Sequence, residues 1–173
     1  TASGGGLAAV DDNQVTGNDN DLDANATDTG ASAIIDGNQI TGNDNILHAD
    51  AVGLSSEATI NTNTVAGDNN GLSASAIGTN SLAQVDGNEL NGNNNTGTAT
   101  AAGNFSDATV SNNDVTGDDN TTTAFSFGLS SDASADGNTV AGDNNNLNAS
   151  AVGTNSLAQV DGNELNGNNN VGT

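Results

Sequence analysis

The chain has 173 residues, with 22 Asp and Glu, no Lys or Arg, one His, no Cys, Pro, Met, Trp or Tyr and only three Phe, giving a formal net charge of −22. Without cations it has no electrostatic footprint for nucleic acid and no polybasic contact for an anionic membrane surface. So few large side chains cannot fill a conventional globular core, and high charge with low aromatic content would point to disorder in a chain lacking internal order.

Internal order is present. Asn13, Asn38, Asn63, Asn88, Asn113, Asn138 and Asn163 recur at a spacing of 25 residues. Gly17, Gly42, Gly67, Gly92, Gly117, Gly142 and Gly167 follow four residues after each, and Asn20, Asn45, Asn70, Asn95, Asn120, Asn145 and Asn170 three residues later still. A fixed period in this range is the signature of a solenoid. Coils begin near residues 6, 31, 56, 81, 106, 131 and 156, and the whole chain reads as one domain. The first coil is degenerate, with Gly4, Gly5 and Gly6 in place of the usual turn residues.

Within each coil the apolar columns alternate with polar ones. Ala58 and Ile60, then Val65, then Leu72, Ala74 and Ala76 set the pattern, and their equivalents recur throughout. Alternation over short runs bounded by Gly, Asn and Asp predicts half-buried strands, near residues 81–85, 89–91 and 72–77 in representative coils. The segments 67–70, 86–88 and 78–80 supply the Gly, Asn and Asp that tolerate left-handed corners. The fold predicted is therefore all-β, a parallel β-solenoid of seven 25-residue coils, about 33 Å long if stacked at strand spacing. The pattern leaves open whether a coil has two faces or three. The core is thin, so stability must come largely from coupling between coils.

The two Asn columns suit that coupling, since a buried amide both donates and accepts and can bond its equivalent above and below. A turn preference for left-handed angles would also place Asn there. No atypical capping repeat is visible at either end, and open strand edges recruit further strands, so the expectation is self-association by head-to-tail stacking. Residues 128–173 match residues 53–98 at 37 of 46 positions, so a displacement by three coils nearly reproduces the sequence.

Calcium is the one cofactor the residues suggest. Asp19, Asp44, Asp68, Asp118, Asp119 and Asp143 lie in Gly-led turns, and hard oxygen donors are what calcium takes. Asn replaces Asp in many coils, which leaves few adjacent acid pairs, and diffuse screening of an acidic surface competes with specific sites. Carboxylates stacked at strand spacing repel by roughly 1 kcal/mol in water and 3 to 4 kcal/mol at intermediate dielectric, so acid or divalent cations should favour assembly.

Other functions find less support. The column Thr16, Thr41, Ala66, Asn91, Thr116, Ala141 and Asn166 does not form the Thr row expected of an ice-binding solenoid. His48 stands at an outward strand phase occupied elsewhere by Asp23, Ser73, Thr98, Thr123 and Asn148, as a solvated histidine would. With one His and no nucleophile turn, a Ser-His-Asp set is not expected, and no enzymatic activity is predicted. No apolar run reaches the roughly 18 to 20 residues of a membrane-spanning helix. Phe127 takes the place of a core Val or Ile, while Phe105 and Phe125 occupy outward phases.

The run from Val65 to Ala76, VAGDNNGLSASA, preceded by Ser56, Ala58 and Ile60 at alternate positions, resembles the curlin repeat, with its Ser-led strand and Gly-x-x-Asn-x-Ala segment. All seven coils carry the Gly-x-x-Asn piece, but the curlin Gln columns are missing and the period here is 25 residues rather than a shorter one. The run from Ala149 to Val160 is similar to the head repeats of trimeric autotransporter adhesins, and the acidic turns look like those of RTX repeats without their nine-residue period. The first resemblance implies a secreted bacterial subunit of an extracellular fibre, with copies of itself as partners. The alternative is a calcium-dependent repeat segment of a surface adhesin.

Overall fold

The computed structural model describes all residues, Thr1–Thr173. It is built of strands alone, three to a coil. The first three coils contribute β1 (Leu7–Asp11), β2 (Gln14–Thr16), β3 (Asp21–Thr27), β4 (Ser32–Asp36), β5 (Gln39–Thr41), β6 (Ile46–Val52), β7 (Glu57–Asn61), β8 (Thr64–Ala66) and β9 (Gly71–Ile77). The next two add β10 (Leu82–Asp86), β11 (Glu89–Asn91), β12 (Thr96–Ala102), β13 (Asp107–Ser111), β14 (Asp114–Thr116) and β15 (Thr121–Phe127). The last two end the chain with β16 (Ala133–Asp136), β17 (Thr139–Ala141), β18 (Asn146–Val152), β19 (Ala158–Asp161), β20 (Glu164–Asn166) and β21 (Val171–Gly172).

Equivalent strands pair in parallel into three seven-stranded sheets, headed by β1, β2 and β3. We call them the medium, short and long sheets after their strands. The register is 25 residues at every step, as in Ile35 beside Ile60 beside Val85 and Leu47 beside Leu72. The fold is thus a parallel β-solenoid, and the coil is three-sided.

Alternation along each strand sends Ala58 and Ile60, Val65, and Leu72, Ala74 and Ala76 inward, and these columns make one continuous core along the rod. Of 48 buried residues 31 are in that core; apart from Gly97 the others are polar, and most of them sit at the corners.

Corners need left-handed backbone, which explains the columns at the turns. Asn69, Asn94, Asp119 and Asn144 all have φ between 57° and 60°, a conformation that short Asx side chains tolerate and most residues avoid. The Gly column has a second reason: a Cβ on Gly92 would lie 2.1 Å from the carbonyl oxygen of Gly67 in the preceding coil. Phe105 adopts φ 57° at a corner where other coils place Gly, Ser or Asn.

One sequence expectation is overturned. Phe127 is not a core residue but 56% exposed, in a row with Val52, Ile77 and Val152, all facing outward. Inward Ala76 and Ser126 immediately precede Ile77 and Phe127, so strand alternation turns the final apolar side chain away from the core.

Candidate functional site: the corner ladders

Each corner of the coil encloses a polar column that bonds to itself along the rod. At the corner between medium and short sheets, Asn63 donates its backbone N–H and its Nδ2 to Oδ1 of Asn88, both at 3.0 Å. Asn88 does the same to Asn113, and the arrangement runs from Asn13 through Asn38 to Asn138 and Asn163. The second Nδ2 hydrogen of Asn88 meets the carbonyls of Ile60 and Asp86 at 3.0 and 3.1 Å. A buried primary amide here uses both its donors and both acceptor sites, so its burial carries no desolvation penalty left uncompensated.

At the corner between short and long sheets, each of Asn20, Asn45, Asn70, Asn95, Asn120 and Asn145 donates its backbone N–H to Oδ1 of the next, ending at Asn170. The side-chain rung is less regular. Nδ2 of Asn70 reaches Asn95 at 3.2 Å, whereas Nδ2 of Asn95 and of Asn120 is buried without a partner. Nδ2 of Asn145 turns instead to the carbonyl of Gly117.

The third corner holds a ladder that the Asn and Gly columns do not reveal. The N–H groups of Ser56, Ser81, Ser106 and Ser131 donate to Oγ of the next serine, ending at Ser156. Each hydroxyl in turn donates to a corner carbonyl, as Ser106 does to Gly78 at 2.6 Å. Gly6 and Ala31 occupy this column in the first two coils, and that interruption hides it in the sequence.

The acidic turns serve a further, outward ladder of opposite polarity. Oδ1 of Asn18, Asn43, Asp68, Asn93, Asp118 and Asp143 each accepts the backbone N–H of the next coil's equivalent, at 2.7 to 2.8 Å. Asp and Asn interchange freely because only the oxygen is used. Asp143 is held below the ordinary carboxylate range, by the backbone N–H of Asn168 first and by its side-chain amide second. Of the remaining calcium candidates, Asp19, Asp44 and Asp119 occupy the neighbouring left-handed position. Asp68, Asp118 and Asp143 are ladder acceptors, and no group of three His, Cys, Asp or Glu lies together in the chain.

His48 lies on the outer face of β6 with Nε2 3.2 Å from Asp50 and Nδ1 3.9 Å from Asp23, its side chain 41% exposed. Ser73 and Ser75 stand beside His48 and Asp50 in the next strand without a hydrogen bond to His48, and the side chains sit on an open sheet.

The two Asn ladders give each coil the same pattern of donors and acceptors on its two edges. Asn13 and Asn20 carry Oδ1 acceptors unused by any residue of the chain, and Asn163 and Asn170 leave their backbone N–H groups undonated. A further coil would meet the same contacts whether it belonged to this chain or to another. Chemically, the arrangement is a template for its own repetition. No protein family, curated protein or solved structure matches the chain.

Proposed function

We propose that the chain is a structural subunit of a secreted extracellular fibre, assembled by end-to-end stacking of solenoid coils. The observation that carries this reading is the self-complementary coil edge: three sheets of unpaired strand groups plus the Asn columns, with acceptors at one end and donors at the other. Stacking would extend both Asn ladders and the outward Asx ladder without a new kind of contact, while the serine ladder stops at Gly6 of the next chain, and a repeated in-register β stack gains cooperatively from each layer. The curlin-like run at Val65 to Ala76 supports the same reading by resemblance and suggests a bacterial surface or biofilm matrix as the setting.

The test is sedimentation of the purified chain at micromolar concentration with and without EDTA. Sedimenting assemblies in both buffers support the fibre. Monodisperse rods that lose their strand signal only in EDTA would replace it with the calcium-dependent adhesin segment.

A further inference from the structure

The outer face of the long sheet is unlike the other two. From β9 to β18 its outward side chains are Gly71, Ser73, Ser75 and Ile77, then Thr96, Thr98, Thr100 and Ala102, then Thr121, Thr123, Phe125 and Phe127, then Asn146, Asn148, Ser150 and Val152. None is ionisable, on a chain of net charge −22. The medium and short sheets carry acids along their outward columns, including Glu57, Asp86 and Asp107 on one and Glu89, Asp114 and Glu164 on the other. On the long sheet acids are confined to β3 and β6, as Asp21, Asp23 and Asp50. One margin of the neutral face is apolar, with Ile77, Phe127 and Val152 each about half exposed and Ala102 between them.

We propose that this face is the lateral contact between two copies of the chain, mated face to face with the rods antiparallel. An acidic chain with no cations repels its own copies everywhere except across a neutral surface. Mostly short side chains on a strand lattice allow sheets to approach to about 10 Å.

The two-fold axis that satisfies the residues runs along the strands, between β12 and β15. Rows then keep their identity, so the apolar margin meets the apolar margin. Phe127 covers Ala102, the one small residue in its row, and Ile77 meets Val152. Phe125 lies over Thr100, and Thr98 faces Thr123. β6 falls opposite β21, and along stacked filaments β3 meets β3 of the next chain, so Asp21 and Asp23 face their copies once per subunit repeat while the four neutral strands carry the contact. An axis along the rods would instead reverse the rows and set the apolar margin of Ile77, Phe127 and Val152 against Gly71, Thr121 and Asn146.

Four strands of seven residues span roughly 19 by 23 Å, or about 900 Å² over both copies, which is below the size of a stable interface. A single pair of chains would therefore be weak. Repeated along two filaments the same patch acts many times over, so the inference rests on the end-to-end stacking proposed above.

The experiment is electron microscopy of assembled full-length chain and of two variants, scored for single against paired filaments. Phe127→Asp places a carboxylate at an already exposed position on the mating face, while Thr109→Asp does so on the medium sheet as a control for added charge. Paired filaments are expected for the parent and for T109D, with the paired fraction falling at least about tenfold for F127D while the axial repeat is unchanged. A short bismaleimide should cross-link Phe127→Cys in one chain to Ala102→Cys in another, facing positions about 10 Å apart and so beyond the reach of a disulfide. Single filaments in the parent, or pairs that survive F127D, overturn the lateral contact and leave end-to-end stacking intact. Absence of any filament overturns both, because one patch is too small to hold two free chains.

Discussion

Asn63 gives two hydrogens to one oxygen, with its main-chain N–H and its side-chain Nδ2 both ending on Oδ1 of Asn88 at 3.0 Å. The amide of Asn88 then repeats the gesture toward Asn113 while a remaining hydrogen holds Ile60 and Asp86 in its own corner. A side chain in this position ties three coils together, so its removal should be felt far more than a turn preference would allow.

Replacing Asn88 by Ala strands the buried N–H of Asn63 and one hydrogen of its Nδ2, and leaves Oδ1 of Asn113 with only the backbone N–H of residue 88. Each orphaned buried group costs about 1 to 3 kcal/mol, so Asn88→Ala should destabilise by about 3 to 5 kcal/mol. Asn95→Ala also strands the N–H and Nδ2 of Asn70 but should cost less, about 2 to 4 kcal/mol, because Nδ2 of Asn95 has no partner to lose. Denaturant midpoints of the two variants, measured side by side, should preserve that order.

The Gly columns should tolerate alanine very unequally. At Gly92 the added Cβ would lie 2.1 Å from the carbonyl oxygen of Gly67, and φ is 136°. Gly92→Ala must displace the backbone between coils, at a cost above about 4 kcal/mol. Gly30 has φ 71° with open space around it, so Gly30→Ala should cost only about 1 to 2 kcal/mol, the strain of the left-handed conformation. Thermal melts of the purified variants distinguish the two.

One place in the core can be improved. The column filled by Leu47, Leu72 and Leu147 holds Gly97 and Thr122 in the coils between, and Oγ1 of Thr122 is buried without a partner. Thr122→Val keeps the shape and removes the orphan hydroxyl, for a gain of about 1 kcal/mol. A Cβ on Gly97 would meet Cγ2 of Thr122 at 3.4 Å and Cγ1 of Val85 at 3.7 Å, close but ordinary contacts, so Gly97→Ala should add about 0.5 to 1 kcal/mol. The double variant should melt higher than either single one.

Acid should weaken the outward Asx ladder at Asp143. Its carboxyl sits below the ordinary range because Asn168 donates to it, so the unfolded chain binds this proton more readily than the folded one. The stability it contributes is present above about pH 4 and is lost as pH falls through the lowered value. Asp143→Asn retains an oxygen for the N–H of Asn168, as Asn93 does for Asp118. Its melting temperature should fall less than that of the parent between about pH 4 and pH 2.

Much of this architecture is visible in the sequence, because every coil must solve the same backbone problem. Only Gly fits where Gly67 passes beneath Gly92, and only a short polar side chain sits comfortably at the φ of Asn69, so both columns repeat without drift. The strand at Glu89–Asn91 is bounded by such residues and could be placed in advance. The three-sided section could not, since the two-residue corner at Thr62 and Asn63 looks like a bulge in a longer strand until its left-handed φ of 51° at Thr62 is known. Phe127 was misplaced for a related reason: it follows an inward residue at the last position before a corner, where composition suggests core and alternation decides otherwise. The acids of the GDNN turns read as candidate calcium ligands, and the backbone N–H groups that Asp68 and Asp143 accept from the next coil are invisible until the register is known.

The most direct test of self-stacking is cryo-electron microscopy of the purified chain at micromolar concentration, with and without EDTA. Unbranched filaments are expected in both conditions, with layers about 4.8 Å apart running unbroken across each subunit boundary and a subunit repeat of about 33 Å. Rods that stay separate in both buffers, or filaments whose layers break off at every seventh coil, would contradict end-to-end stacking of coils.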